Sequence, residues 1–234
     1  MRRLIIFSTM FCTVVPALAS PTLVTIEVID CGWYSAEGTH SPDNENYVVG
    51  DFRADPPSTN PTGDARNFFV FDLSGITDRV VSAELALSMI DLGNLGFSSP
   101  DGQETFELFD VVSSVEGLVE GTGGLAAHSD LGSGVQYGIR VITADDAASI
   151  VTIQLNANAL DMINSANGLF AIGGAITTLD DVPNYEVAFG NSGQPDDIRE
   201  LRLTLVPEPP AILLAAFPGI ICLAMRCRSQ LRRK

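Results

Sequence analysis

The side chains that could do chemistry in this chain are mainly carboxylates, and several of them are adjacent in short polar stretches. The pairs are Asp145-Asp146, Asp180-Asp181 and Asp196-Asp197, and Asp43-Asn44-Glu45 forms a similar cluster. Loops of this kind can supply the oxygen ligands that Ca²⁺ requires, but Asp and Asn also favour turns for backbone reasons. None of these stretches has the spacing of a calcium-binding loop. We therefore expect turns here and no cofactor, with a structural calcium ion, without assigned ligands, as the open alternative.

Few other groups suit catalysis. Between residues 20 and 206 the chain has two histidines, His40 and His128, both in Gly- and Ser-containing stretches, and one cysteine, Cys31. It contains no H-E-x-x-H, C-x-x-C or G-x-S-x-G sequence. A glycosidase needs two carboxylates about 5–9.5 Å apart, and a chain with 29 acidic residues meets that condition by chance. We predict that the protein is not an enzyme, and a secreted hydrolase is the least favoured alternative.

Three aromatic residues suggest another alternative, a carbohydrate-binding module. Trp33, Tyr34 and Tyr47 could form a platform for a sugar ring. Residues 69–74 and 81–85 also resemble two strands of secreted carbohydrate-binding sandwich modules, which implies extracellular polysaccharide as a partner. The competing interpretation places Trp33 in the hydrophobic core, and we favour it because a buried Trp is the commoner case.

The C-terminus combines three different segments. Val206, Pro207, Glu208 and Pro209 are followed by an uncharged apolar run, residues 210–225, and then by residues 226–234, of which five are Arg or Lys. Sixteen helical residues span about 24 Å, somewhat less than the ~30 Å hydrocarbon core of a bilayer. The basic residues favour a cytoplasmic end. This arrangement predicts a short transmembrane helix, with a buried core helix as the alternative.

The order of these parts resembles the PEP-CTERM sorting signals of exported proteins in Gram-negative bacteria that make extracellular polysaccharide. The resemblance covers residues 206–234, and Pro210 stands where a small residue is more usual. It implies that a membrane enzyme, exosortase, recognises Pro207, Glu208 and Pro209 and processes the tail. The protein would be anchored in the inner membrane before processing and would then reach the cell surface or the extracellular matrix. A permanent membrane anchor is the simpler alternative.

The N-terminus predicts export. Arg2 and Arg3 precede an apolar core, and Ala17-Leu18-Ala19 is a cleavage site, so residues 1–19 form a signal peptide. Residues 20–205 then form one exported domain. Residues 20–206 contain six basic and 28 acidic residues, a net charge of −22, with no Lys. Such a charge excludes nucleic acid as a partner, because the two polyanions repel each other.

The domain that positions these groups is predicted to be all-β. Alternating apolar and polar residues indicate ten short strands, at 22–30, 46–52, 66–73, 80–90, 104–111, 135–143, 149–155, 169–176, 185–189 and 198–206. Asn156 predicts the start of one helix, 157–166, and Ser113 or Ser114 one helical turn within 113–120; we expect 121–134 to be flexible. Ten evenly spaced strands favour an antiparallel, jelly-roll-like β-sandwich with one short helix.

Overall fold

The computed structural model describes residues 20–52, 63–91, 96–180, 185–190 and 197–207. The predicted signal peptide (1–19), transmembrane segment (210–225) and basic tail (226–234) lie outside these ranges, as do Glu208 and Pro209. Within the described ranges, no helix has the length and apolar character needed to cross a membrane. Every strand pairing described below lies within Pro21–Val206, which forms one unit with its own core. Such a unit is expected to fold by itself.

Twelve strands, three short α-helices and one 3₁₀ turn occupy the described residues. The strands are β1 (Thr22–Glu27), β2 (Asp30–Ser35), β3 (Val49–Asp51), β4 (Asp64–Asp72), β5 (Arg79–Met89), β6 (Gly96–Ser98), β7 (Gln103–Asp110), β8 (Gln136–Thr143), β9 (Ser149–Gln154), β10 (Leu169–Ile176), β11 (Glu186–Phe189) and β12 (Arg199–Val206). The helices are α1 (Val115–Val119), α2 (Gly124–Asp130) and α3 (Ala157–Ser165), and the 3₁₀ turn is Ala144–Asp146. The all-β class predicted from the sequence is confirmed.

The strands form two antiparallel sheets. The smaller sheet has the order β1-β12-β5-β9. The larger sheet has the order β6-β11-β3-β4-β10-β7-β8. β2 lies outside this order and pairs with β4 on the edge opposite β10. The first and last strands of the domain are neighbours, because Thr22 of β1 lies opposite Leu205 of β12.

Both sheets contribute to one main core. In β5 the inward side chains include Ala83 and Leu85, whereas Ser82 and Glu84, which alternate with them, are only partly buried. This two-residue alternation confirms a strand where the Ala-Glu-Leu-Ala-Leu sequence also allowed a helix. The larger sheet contributes Phe69 and Phe71 of β4 and Ile172 of β10 to the same core. Together these buried side chains explain why the domain needs no internal disulfide.

A second, smaller core lies on the other face of β4. Phe68 and Val70 pack there with Leu118 of α1, Ala127 of α2 and Leu131, so β4 is covered on both faces. The predictions of a single helix and of a flexible segment at 121–134 were therefore wrong. α2 begins at a glycine without a side-chain cap, and its burial against β4 outweighs its poor intrinsic signal.

Local helix signals were more reliable where a capping residue was present. The Asn156 side chain accepts hydrogen bonds from the backbone N–H groups of Asn158 and Ala159, which confirms the predicted start of α3. Ser114 caps α1 in the same way by accepting from the N–H of Gly117. The sequence missed β2 and β6, extended β1 to residue 30, and extended β3 over residues 46–52, because short strands carry little periodic signal.

Candidate functional site

The sorting motif begins where the folded domain ends. Val206 is the last residue of β12, one residue beyond the predicted domain boundary, and Pro207 follows it without regular structure. β12 lies between β1 and β5, and its register shifts between Thr204 and Leu205. Proline lacks the N–H that a further ladder hydrogen bond would require, so the strand stops there. Glu208 and Pro209, the rest of the predicted motif, lie outside the described residues.

The aromatic platform suggested by the sequence is absent from the surface. Trp33 is 2% exposed, and Tyr34 and Tyr47 are fully buried. Trp33 packs against Val48, Phe52 and Val187, so its expected place in the core is confirmed and the platform interpretation was wrong. Phe68 lies beside Tyr34, and Phe69 beside Tyr47. None of the three rings can stack on a sugar without local unfolding.

The hydroxyl group of Tyr34 fastens the helical segment to β2. It donates to the carbonyl oxygens of Gly117 and Leu118, which lie 2.8 and 2.9 Å away. It accepts from the backbone N–H of Gly123 at 3.4 Å. Burial raises the pKa of Tyr34, so the hydroxyl remains protonated and able to donate. The side chain therefore has a structural role.

His40 also belongs to this packed region. Its ring stacks on Tyr34 with centroids 5.1 Å apart, and its Nδ1 lies 3.0 Å from the Trp33 carbonyl oxygen. A Cβ atom at Gly32 would approach the His40 ring within 2.5 Å, so this close packing requires glycine. Burial lowers the pKa of His40, which favours the neutral ring. Tight packing of a neutral ring makes His40 a structural residue.

His128 lies in α2, where it forms part of a cluster with Asp64 and Arg66. One carboxylate oxygen of Asp64 is 3.4 Å from His128 Nε2 and 3.3 Å from Arg66 Nε. Arg66 Nη1 donates to the backbone carbonyls of His128 and Ser129, at 3.0 and 3.2 Å. A guanidinium group on the last carbonyls of a helix is a C-terminal cap. The cluster therefore joins α2 to β4.

Cys31, the lone thiol of the domain, is unsuited to nucleophilic chemistry. It is 1% exposed, and its Sγ donates to the carbonyl oxygen of Glu45 at 3.1 Å. Arg199 Nη1 lies 3.1 Å from Sγ and 3.2 Å from the Glu45 carboxylate. Burial nevertheless raises the pKa of Cys31 to about 11, since desolvation outweighs the nearby positive charge. The thiol is therefore protonated at physiological pH.

Three buried carboxylates lie on the inner face of the larger sheet, and sequence reasoning did not single them out. Asp51 and Glu186 are directly opposite each other on β3 and β11, and Glu104 is on β7. Each is two residues from a core side chain, Val49, Ala188 and Phe106 respectively. That alternation was the signal in the sequence that could have placed them inside.

The inner carboxylates are held by hydrogen bonds from the protein. Thr178 Oγ1 donates to Glu104 at 2.5 Å, and the N–H of Asp180 donates to Glu186 at 2.9 Å. Burial raises the pKa of Glu104, and the negative charges of Glu186 and Asp101 add to this effect. In the part of the chain that the structure describes, no three His, Cys, Asp or Glu side chains converge in a way that could hold a metal ion.

The acidic stretches of the sequence form turns where they are described. Asp145 and Asp146 belong to the 3₁₀ turn, in which Asp146 accepts from the N–H of Thr143. Asn44 Oδ1 accepts from the N–H of Asn46, a side-chain-to-backbone turn. Asp181 and Asp196 lie outside the described residues. The side chains of Asp146 and Asn44 therefore stabilise turns through backbone hydrogen bonds.

A shallow depression lies beside α2. Its lining is formed by Val112, Ser113, Ala126, Ser129, Asp130 and Ser133. The Asp130 carboxylate already accepts from the backbone N–H groups of Val112 and Ser113, at 3.0 and 2.7 Å. With this carboxylate engaged in fixing the loop, the depression does not present a catalytic group.

No protein-family model matches this chain, and no curated protein matches it. The residues themselves therefore carry the functional argument.

Proposed function

We propose that this is an exported, jelly-roll-like β-sandwich protein that a C-terminal PEP-CTERM sorting signal delivers to the cell surface or extracellular matrix. Val206, Pro207, Glu208 and Pro209 form the recognition motif, residues 210–225 enter the inner membrane, and residues 226–234 remain cytoplasmic. An exosortase-type membrane enzyme is the processing partner. At that location the domain has a structural or adhesive role that does not depend on binding sugar, and it is not an enzyme.

One observation carries this proposal: the first and last described strands lie directly beside the two processing signals read from the sequence. β1 begins at Thr22, three residues after the signal-peptide cleavage site at Ala19. β12 ends at Val206, immediately before Pro207. Removal of both terminal segments would leave every described strand in place. This is the arrangement expected of a domain whose ends are handled by membrane enzymes.

The candidate catalytic groups support a structural role. Cys31 is protonated and buried, His40 is packed against Tyr34, and the Asp64–Arg66–His128 cluster caps a helix. Each of these groups therefore has a role in holding elements together. The buried state of Trp33 likewise removes the residue basis for a carbohydrate-binding platform.

The proposal is tested by changing the motif in a bacterium that has an exosortase. The triple substitution Pro207→Ala, Glu208→Ala and Pro209→Ala should leave the protein in the inner-membrane fraction with residues 226–234 attached. Pro210→Ala, one residue beyond the motif, is the matched control and should be processed normally. Equal processing of the triple variant and the unchanged protein would contradict the proposal.

A separate test addresses the role of the delivered domain. Residues 20–206 should not be retained specifically on insoluble or extracellular polysaccharides, either with calcium or with a chelator. Specific retention would assign a glycan-binding function instead, and its loss in the chelator would indicate a bound metal ion.

A further inference from the structure

The edges of the two sheets differ in how they are protected. An unprotected edge strand can pair with another chain, and proteins commonly block edges with charged side chains, bulges or covering segments. β9 is covered where Arg140 Nη1 donates to the Thr152 carbonyl at 3.2 Å, and β8 where the N–H of Asn156 donates to the Tyr137 carbonyl at 2.7 Å. On β2, His40 contacts the Trp33 carbonyl, and β6 is only three residues long.

Among the residues that the structure describes, β1 has none of these devices. It has six residues, and among the described residues its only strand partner is β12, on one side. Its pairing with β12 is in continuous register, and its sequence contains neither Lys nor Pro. Leu23 is 70% exposed and Thr25 is exposed, while Val24 and Ile26 pack partly on the core. An edge of this length and composition is suited to strand addition.

We propose that β1 pairs antiparallel with β1 of a second copy of this chain, which joins the two four-stranded sheets into one eight-stranded sheet. The charge distribution around β1 favours a second copy as its partner. β1 carries one charged residue, Glu27, in a domain whose net charge is −22, so it is an almost uncharged strip on a strongly acidic surface. A second copy can approach there without placing carboxylates against each other.

Two registers, centred on Val24 and on Thr25, give the most extensive pairing of two β1 strands. Two identical antiparallel strands pair about a residue, because opposite residues must direct their backbone groups the same way. Pairing about Val24 places Val24 opposite Val24 of the second copy and Leu23 opposite its Thr25. Pairing about Thr25 places Leu23 opposite Glu27. Neither of these two registers sets Glu27 against Glu27, so like charges are not directly opposite in either.

Long-range repulsion adds a prediction about salt. Two domains of charge −22 repel each other over the screening length, which is about 10 Å at 0.1 M salt and about 3 Å at 1 M. The short-range contacts of the strand pair are much less sensitive to salt. Dimerisation should therefore strengthen as the salt concentration rises.

The test is sedimentation velocity on residues 20–206 over a wide concentration range, at low and high salt. The unchanged domain should form dimers, more of them at high salt. The double variant Leu23→Glu/Thr25→Glu places Glu opposite Glu in both registers, and its dimer dissociation constant should rise by about tenfold or more. The variant should still fold, because both positions are exposed and Thr25 lies opposite Arg202 of β12.

The control variant Leu125→Glu/Met162→Glu has the same change in charge at two exposed helical positions. Its dissociation constant should stay within about twofold of that of the unchanged domain. Circular dichroism and the urea midpoint check that both variants remain folded. A monomer at every concentration and salt, or equal dimerisation of the edge variant and the control, would overturn the proposal.

Discussion

Replacing Tyr34 by Phe tests the structural role of the tyrosine most sharply. The change removes one hydroxyl group and leaves the buried ring, its stacking on His40 and its contact with Phe68 in place. That hydroxyl bonds the carbonyls of Gly117 and Leu118 and the N–H of Gly123. The substitution therefore weakens the attachment of α1 and α2 to β2 without creating a cavity.

The expected loss of stability depends on the hydrogen bonds that the backbone partners of Tyr34 keep. The Gly117 carbonyl still accepts from the N–H groups of Thr122 and Gly123, and the Leu118 carbonyl still accepts from Gly121. No partner is left entirely unsatisfied, so the cost should be close to the net value of a hydrogen bond, about 1–1.5 kcal/mol, and not ~3 kcal/mol. In a domain of this size, about 1 kcal/mol lowers Tm by roughly 2–4 °C.

The assay is equilibrium urea unfolding of residues 20–206, combined with amide hydrogen exchange. The Tyr34→Phe variant should keep the same m value, and its exchange should accelerate first in residues 115–130. Tyr47→Phe is the matched control: it removes a hydroxyl that donates to the Ser88 carbonyl at 2.8 Å, away from α1 and α2. It should lower stability by a similar amount, without selective exchange in the helices.

Two outcomes would refute this reasoning. One is a Tyr34→Phe variant as stable as the unchanged domain, which would mean that the hydroxyl contributes nothing to the fold. The other is uniform acceleration of exchange in both variants, which would mean that α1 and α2 do not depend on Tyr34 in particular.

Three further predictions concern buried groups in residues 20–206. Because burial raises the pKa of Glu104, the stability this residue contributes is complete below about pH 4.3, the usual glutamate pKa, and is lost as pH rises through the folded-state pKa. Glu104→Gln should flatten this decline in urea midpoints, whereas exposed Glu120→Gln should not, and identical slopes would contradict the effect. Ellman's reagent should label Cys31 only after urea unfolding, since burial raises its pKa to about 11, and rapid labelling of the folded domain would show the opposite. Gly174→Ala should destabilise by about 1–3 kcal/mol, because a Cβ atom there would lie 2.3 Å from Asn67 Oδ1, and unaltered stability relative to Gly75→Ala, which has nothing within 4 Å, would refute this clash.

The sequence predicted strand bounds well both where apolar and polar residues alternate and in the continuous apolar run of β10, predicted and observed at residues 169–176. β5, β7 and β12 were found close to their observed bounds, because each buries one face and leaves the other more exposed. The start of α3 was predicted from Asn156, whose side chain performs the capping that its residue type suggested. These features are local, so one segment contains the information that specifies them.

The rest depended on contacts between distant segments. α2 has no side-chain cap at its N-terminus and is held by the packing of Ala127 with Phe68 of β4 and by Arg66, which caps its C-terminus. Thr178 reaches Glu104 because the antiparallel pairing of β10 with β7 continues past Ile176, which lies opposite Phe106. No spacing pattern within a single segment of the sequence specifies these long-range contacts. The terminal signals, by contrast, were read from residue order alone, and they stay predictions.

The most direct test of the central claim is the intact mass of the protein recovered from the cell surface or medium of an exosortase-containing bacterium. The account predicts a chain that begins at Ser20 and lacks residues 226–234. A mature protein that still contains residues 226–234 would contradict the sorting proposal and would indicate a permanent membrane anchor.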